Sequence, residues 1–291
     1  MKPASFTYLA PADLDEAIRM LAADDQARPL AGGQSLVPMM NLRLARPSAL
    51  VDLNRIPGLS GIREDNGVLH IGSMTRQKVL LASPLVRRLA PLMADALAFV
   101  GHPPTRARGT IGGSIANADP AAELPVVALA LDAEFVLRGE TGERVVHSAD
   151  FFQSMFETAI KEGELLTEIR IPSRALRSGH AFLEIARRHG DFAIVSIAVC
   201  LTLDESNKCK TSRVVLGGVG PVPIRCDGVE THLQGQLLDD TTLLAAADAI
   251  DPETIEFESR GASRNYRIHV ARVLLRRALG QARHSAEANP A

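Results

Sequence analysis

Two stretches decide how this chain is read: RPLAGGQSLVPMMNLRLARPSALVDLNRI, residues 28–56, and GHPPTRARGTIGGSIANADPAAELP, residues 101–125. Each carries a glycine pair, in AGGQSL at 31–36 and in GTIGGS at 109–114. Paired glycines with a following hydroxyl let consecutive backbone N–H groups point at one anion, because no side chain blocks its approach. Ser35 and Ser114 add hydroxyl donors, and a helix following each turn adds the partial positive charge of its N-terminus. Neither loop is a Walker loop, since no Lys-Ser or Lys-Thr follows, and neither is G-x-G-x-x-G, so the nicotinamide fingerprint is missing. One glycine pair alone reads as a tight turn. Two of them can line a single diphosphate between two lobes, so the residues by themselves lead to a dinucleotide site, with the plain-turn reading still open.

Composition narrows the alternatives. The chain has 291 residues, which suits two domains, and its 46% hydrophobic and 23% charged content is that of a globular protein. Lys plus Arg number 32 against 34 Asp plus Glu, a formal charge of −2, so no basic surplus exists for a nucleic-acid backbone. Trp is absent and aromatics are 4%, which leaves few platforms for base stacking. The longest apolar stretch, Leu124 to Leu131, is far shorter than the ~20 residues of a membrane span. The opening MKPASFTYLAPADLDEA has no apolar leader core, so a cytoplasmic location is expected. Cys200, Cys209 and Cys226 match no zinc or iron–sulfur spacing, so no metal is expected on this chain.

Along the chain, Asp13 and Glu16 read as a capping box ahead of Leu14, Ala17, Ile18 and Leu21 at helical spacing. Arg28 to Ala31, SALVDL, GIRE and GVLHIGS look like short strands. Ser83-Pro84 opens one helix that carries Leu85, Leu89, Leu92, Met93, Ala96 and Leu97 on one side. Residues 101–114 are too rich in Gly and Pro for a helix and are expected to be a loop. Pro120 to Leu131 reads as a helix capped by Asp119, and AEFVLRG with ERVVHS as a hairpin. The pattern breaks between Pro172 and Ser178. Beyond the break, HAFLEIARR, IVSIAVCLTL and TSRVVLGG read as three strands, with Ile197, Val199, Leu201 and Leu203 suiting a sheet covered on one side. Helices are expected over 237–250 and 263–281, with a frayed tail.

At these residues the sequence resembles the FAD-binding medium subunit of the molybdenum hydroxylases, the group of carbon monoxide dehydrogenase, nicotine dehydrogenase and xanthine dehydrogenase. Both quoted stretches read as that family's flavin segments. RRHGDFAIVS, VVLGGVGPVPIR and RNYRIHVARVLLRRAL read as its C-terminal domain, in order. The resemblance implies an α+β fold: a two-lobed FAD-binding domain of the vanillyl-alcohol-oxidase type over 1–175, then a small domain of three antiparallel strands and a helical bundle over 176–291. It implies that Ala31, Gly32, Gly33, Gln34, Ser35 and Leu36 wrap the FAD diphosphate and that Thr110, Ile111, Gly112, Gly113 and Ser114 close the other side. Asn117 is placed near the diphosphate or ribityl chain, Glu123 on the adenosine ribose, and Leu166 and Phe192 near the ring system. Gln34 stands where His is common, Ser114 where Asn is frequent and Phe192 where Tyr is frequent, none of which removes the cradle.

The resemblance further implies non-covalent FAD on this chain. A molybdenum cofactor would be held by a large partner subunit and two-iron two-sulfur clusters by a small one, in a dimer of heterotrimers. The chain would then pass electrons to an external acceptor, with no catalytic base of its own. A self-sufficient flavin oxidoreductase and a non-catalytic assembly subunit are the alternatives. Among side features, His102 is expected in a loop or partner contact, Arg106 and Arg108 either on phosphates or in solvent, His70 at the surface, and Tyr266 and Arg267 joining the two domains.

Overall fold

The computed structural model describes residues 1–259 and 261–289. The cap at Asp13 forms, Asp13 accepting from the Glu16 amide at 2.8 Å, while Glu16 Oε2 reaches one residue past the N-cap and accepts from the Ala12 amide at 2.6 Å. Around it lie β1 (Thr7–Leu9), α1 (Leu14–Ala22), β2 (Arg28–Leu30), α2 (Leu36–Asn41) and β3 (Ala49–Asp52). The strands pair in parallel in the order β1-β3-β2, and α1 buries Ala17, Ile18 and Leu21 in the same core as Val51. Parallel pairing brings the C-terminal ends of all three strands to one edge, where ligands of such sheets bind. The chains leaving β2 and β3 are bonded there, Leu53 N donating to Leu30 O at 3.0 Å.

The next segment contains β4 (Ile62–Asp65), β5 (Val68–Gly72), α3 (Gln77–Ala82), α4 (Pro84–Leu89), α5 (Pro91–Leu97), α6 (Pro103–Arg108), α7 (Ile111–Asn117) and α8 (Glu123–Ala130). It continues through β6 (Glu134–Gly139), β7 (Gly142–His147), α9 (Ser148–Phe151), β8 (Phe152–Ser154), β9 (Glu157–Thr158) and β10 (Leu165–Pro172). Its sheet runs β4-β5-β10-β6-β7, antiparallel throughout. Two expectations are corrected. The helix from Ser83 is two helices: Ser83 caps α4, accepting from the Val86 amide, but Pro91 cannot continue it and starts α5 instead. The stretch 101–114 is α6 and the start of α7. Its prolines occupy the first turn of α6, Gly109 ends it, and Thr110 caps α7 by accepting from the Gly113 amide at 3.0 Å. Pro at a helix start and Gly just past its end are compatible with helix, which the count of breakers alone does not reveal.

Every residue of α8 is buried, as a helix apolar on all sides must be. It lies between the five-stranded sheet and a second antiparallel sheet made of β11 (Ser178–Ile185), β12 (Val195–Leu203), β13 (Cys209–Gly217) and β14 (Ile224–Arg225). The short β14 is a fourth strand beyond the three expected. This sheet is covered on both faces rather than one. Ile197, Val199, Leu201 and Leu203 share a core with the C-terminal helix, while Phe182, Ala198 and Val215 join the core around α8.

After α10 (Asp227–Leu233) and α11 (Asp240–Asp248), α12 runs from Arg264 to Glu287. The expected frayed tail is therefore helical to Glu287, with Ala286 buried at 2% exposure, and its last two positions lie outside the described residues. Arg267 corrects another expectation. It donates to Ile194 O and, at 2.7 Å, to Gly218 O, both in the C-terminal segment, so its hydrogen bonds do not join the halves; Tyr266 is exposed. A direct tie is Gly218 N donating to Pro120 O at 2.9 Å.

Gly179 fixes how α12 lies on the sheet: a Cβ there would stand 1.8 Å from Ala282 O. Gly179→Ala is expected to destabilise the chain by about 3 kcal/mol through overpacking against helix backbone, read as a lowered midpoint in a circular-dichroism melt.

Candidate cofactor site

The two glycine loops, distant in sequence, touch. A Cβ on Gly32 would lie 2.5 Å from Arg108 O and 2.8 Å from Gly109 Cα, and one on Gly113 would lie 3.3 Å from Ala31 Cβ. Only glycine lets these backbones approach so closely. Gly112 is equally constrained by a neighbouring turn, its Cβ position being 2.5 Å from Ser73 Cβ. A polar network pins the junction. Asn54 Nδ2 donates to Ala31 O at 2.9 Å, the Arg76 guanidinium donates to Arg108 O and Asn54 Oδ1, and Asp52 accepts from the Asn54 amide and the Tyr8 hydroxyl. Burial is the leading cause holding the Arg76 pKa below its ordinary value, with the Arg108 charge adding to it. Sequence reasoning missed Asn54, Ser73 and Arg76. The one signal was Asn54 directly behind the strand that ends beside the first loop.

The loops are not equivalent. In the second, Ile111 N donates to Thr75 O, Gly112 N to Ser73 O at 2.8 Å, Gly113 N to Thr110 Oγ1 and Ser114 N to Thr110 O. Its amides are spent inside the fold, and it forms a wall. In the first, Gly33 takes φ +72°, and among the described residues the amides of Gly32, Gly33, Gln34, Ser35 and Leu36 donate to no group of the chain. A run of open N–H groups beside glycines that add no bulk is an anion nest, and unpaired backbone donors need a partner. The donor set therefore fits a dinucleotide diphosphate at residues 32–36, with the Ser35 and Ser114 hydroxyls as further donors.

The other sequence-predicted residues fall as follows. Gln34 is exposed and its side-chain amide donates to Gly32 O at 3.2 Å. Asn117 is half-buried at the end of α7, where Ala118 turns the chain with φ +46°. Leu166 is buried in β10 within the central core, whereas Phe192 is 61% exposed. Phe192 follows Gly190, which lies against the His102 ring, so His102 makes the expected loop contact. Arg106 contacts backbone, donating to Val100 O and Gly101 O. Asp119 accepts from the Ala121 amide at 2.9 Å and so caps the turn before α8, whose own N-cap is Ala122. His70 is not a surface residue: its ring is half-buried and meets Glu168 at 3.1 Å.

Glu123 is the first residue of α8 and is 4% exposed. Burial pushes its pKa up to about 8; the charges of Glu184 and Asp119 add to the rise, while its own amide and Arg106 oppose it. Among the described residues no other residue donates to this carboxyl, and a ligand bearing hydroxyl or N–H groups would supply donors.

The family described as the FAD binding domain in molybdopterin dehydrogenase matches residues 4–174, and the CO dehydrogenase flavoprotein C-terminal domain matches residues 180–282. The chain belongs to the family of FAD-binding medium subunits of molybdenum hydroxylases. It is 42% identical over 287 residues to the 6-hydroxypseudooxynicotine dehydrogenase complex subunit alpha of Paenarthrobacter nicotinovorans, covering 98% of this chain and 97% of that one. It is 38% identical to the carbon monoxide dehydrogenase medium chain of Hydrogenophaga pseudoflava, covering 97% and 98%. The solved carbon monoxide dehydrogenase from Hydrogenophaga pseudoflava lacking the Mo-pyranopterin moiety superposes with a TM-score of 0.94 at 37% identity, over the whole of both chains.

In this medium subunit, Glu123 makes stability depend on pH. Its folded pKa of about 8 lies above its ordinary 4.5, so the folded state binds more protons than the unfolded one between those values. Its contribution to stability is therefore fully present below pH 4.5, is lost as pH rises toward 8 and levels off above. Glu123→Gln is expected to flatten part of that fall, making the cofactor-free variant more stable than the parent at pH ~8.5, on the order of a few kcal/mol. Melts at pH ~5 and pH ~8.5 check this.

Proposed function

We propose that this medium subunit binds FAD non-covalently, with the diphosphate on the open amides of Gly32 to Leu36 and against the wall of Thr110 to Ser114. The observation that carries the reading is the meeting of the two glycine loops beside a run of unspent backbone donors. Ala31 and Asn117 border the cradle, Glu123 accepts from hydroxyls of the adenosine ribose, and Leu166 and Phe192 line the ring system. The cradle is formed by a two-lobed domain of the vanillyl-alcohol-oxidase type over residues 1–175, and residues 176–291 form the second domain. When bound, FAD supplies a redox group able to take electrons singly and give them in pairs. The chain's residues bind and orient it, and the packed wall at Gly112 and Gly113 keeps water from that side of the diphosphate.

In this reading the subunit stands between the iron–sulfur clusters of a small partner and an external acceptor, while substrate is oxidised at the molybdenum cofactor of a large partner. The relatives support the division: the similar chains are named as medium chains or subunits of dehydrogenases. The assembly is a dimer of heterotrimers in the cytoplasm. No helix among the described residues is long and apolar enough to cross a membrane.

The chain expressed alone and purified is expected to show flavin absorption that leaves with the small-molecule fraction on denaturation. Gly32→Ala, which places a Cβ 2.5 Å from Arg108 O, is expected to lower flavin content at least tenfold by forcing the loops apart. A parent chain that is colourless and refuses added FAD overturns the reading. Bound flavin that small substrates reduce directly indicates a self-sufficient oxidoreductase instead.

A further inference from the structure

Around the end of α2 the chain exposes a group of large apolar side chains. Val37 follows directly on the open amides of residues 32–36, and its Cγ2 lies 3.2 Å from where a Cβ on Gly33 would stand. Leu42 caps α2, its amide donating to Pro38 O at 3.0 Å, so Pro38 and Leu42 share a flank. The chain then folds back on the helix, the Leu44 amide donating to Met39 O at 2.9 Å. Val37 is 42%, Leu42 58% and Leu44 76% exposed, and Pro38 is exposed with them. Single apolar residues scattered over a surface need no explanation, but a group of them gathered on one short element marks an interaction site.

The rim of this patch is basic. Residues 26–51 contain Arg28, Arg43 and Arg46 and neither Asp nor Glu. Arg43 Nε donates to Lys2 O at 3.5 Å, which brings Lys2 to the same place, and Arg46 Nε donates to Arg43 O at 3.2 Å. All three residues are exposed, and among the described residues the Arg43 and Arg46 guanidiniums meet backbone carbonyls only, so their charge is not neutralised within the chain. Arg43 also takes φ +60°, the left-handed conformation in which helices commonly end and for which glycine is the usual residue. Glycine would make this turn with less strain, so an arginine here serves through its side chain and not through the turn.

We propose that the patch formed by Val37, Pro38, Leu42 and Leu44 is where the cluster-bearing small partner docks, through a surface apolar at its centre and lined by carboxylates. The inference rests on the electron-transfer reading above, in which that partner alone hands electrons to the flavin and must lie against the cofactor-binding part of this chain. The patch begins one residue beyond the proposed diphosphate nest, so a protein seated on it adjoins the loop that holds the cofactor. The leucines supply the dehydrated centre of the contact, and Lys2, Arg43 and Arg46 form a rim that attracts an acidic surface and turns away a basic one. A second copy of this chain would set cation against cation, which the same rim opposes.

The test is the dissociation constant between the FAD-loaded full chain and the purified small subunit of the same enzyme, measured by biolayer interferometry. Leu44→Glu is expected to raise it about a hundredfold and Arg43→Gly about tenfold. Neither change should lower the flavin content or the melting temperature, since Leu44 lies in solvent and glycine suits the turn at 43. Added salt is expected to weaken the parent's binding more than that of Arg43→Gly. Variants that bind the small subunit as tightly as the parent, or that lose it only together with the melting transition, overturn the proposal. So does a Leu44→Glu effect confined to the large subunit or to self-association of this chain, either of which gives the patch another occupant. A parent chain that holds FAD but does not bind the small subunit overturns this proposal and leaves the flavin site standing, whereas a parent chain that binds no FAD overturns the functional reading with it.

Discussion

The approach of Gly32 to the backbone of Arg108 and Gly109 is the constraint on which the rest of the site depends. Two segments that flank separate sheets meet there, backbone against backbone, at a distance that excludes any Cβ. Because β1, β2 and β3 run parallel, the first loop is delivered at their common C-terminal edge. Because Gly112 N is tied to Ser73 O, the second loop is held by the turn that follows β5. Asn54 and Arg76 then connect the two. The result is a junction in which one loop keeps its amides open and the other has used its own to become rigid. A cradle of this kind needs both: donors free to bind, and a wall that does not rearrange to satisfy them internally.

The buried helix α8 has the corresponding role deeper in the fold. Its first residue, Glu123, is buried, and its remaining residues fill the space between the five-stranded sheet and the C-terminal sheet. A polar residue at the end of such a helix is expensive unless something donates to it, and among the described residues no other residue donates to Glu123. On the C-terminal sheet, Glu184 Oε2 and Ser196 Oγ are likewise buried without a hydrogen-bond partner. Packing and site are therefore not separable in this chain: the surface of α8 that joins the two sheets also leads to the cofactor loops.

Much of this is legible in the sequence. The cap at Asp13, the strands flanking residues 28–72, the hairpin at 134–147 and the C-terminal strands follow from local patterns that the tertiary structure has no reason to override. Where local signals mislead, they do so for one reason: composition counts the residues that punctuate structure without regard to position. Pro103, Pro104, Gly109, Gly112 and Gly113 read as a loop by composition, yet each sits where a helix starts, ends or touches another backbone. Pro91, by contrast, lies inside an apolar stripe that continues across it, and the stripe hides the break. The Arg267 guanidinium donates to the carbonyls of Ile194 and Gly218 in turns of its own segment, which no spacing rule foretells.

By itself the sequence determined the class of the protein, since glycine pairs, strand patterns and five ordered segments survive in one dimension. What only the tertiary structure decided is which groups remain unpaired. Whether an amide is open, as at residues 32–36, or spent, as at 111–114, depends on carbonyls brought in from Ser73 and Thr75. Hydrogen-bond satisfaction is a property of neighbours in space, and sequence distance carries no record of it.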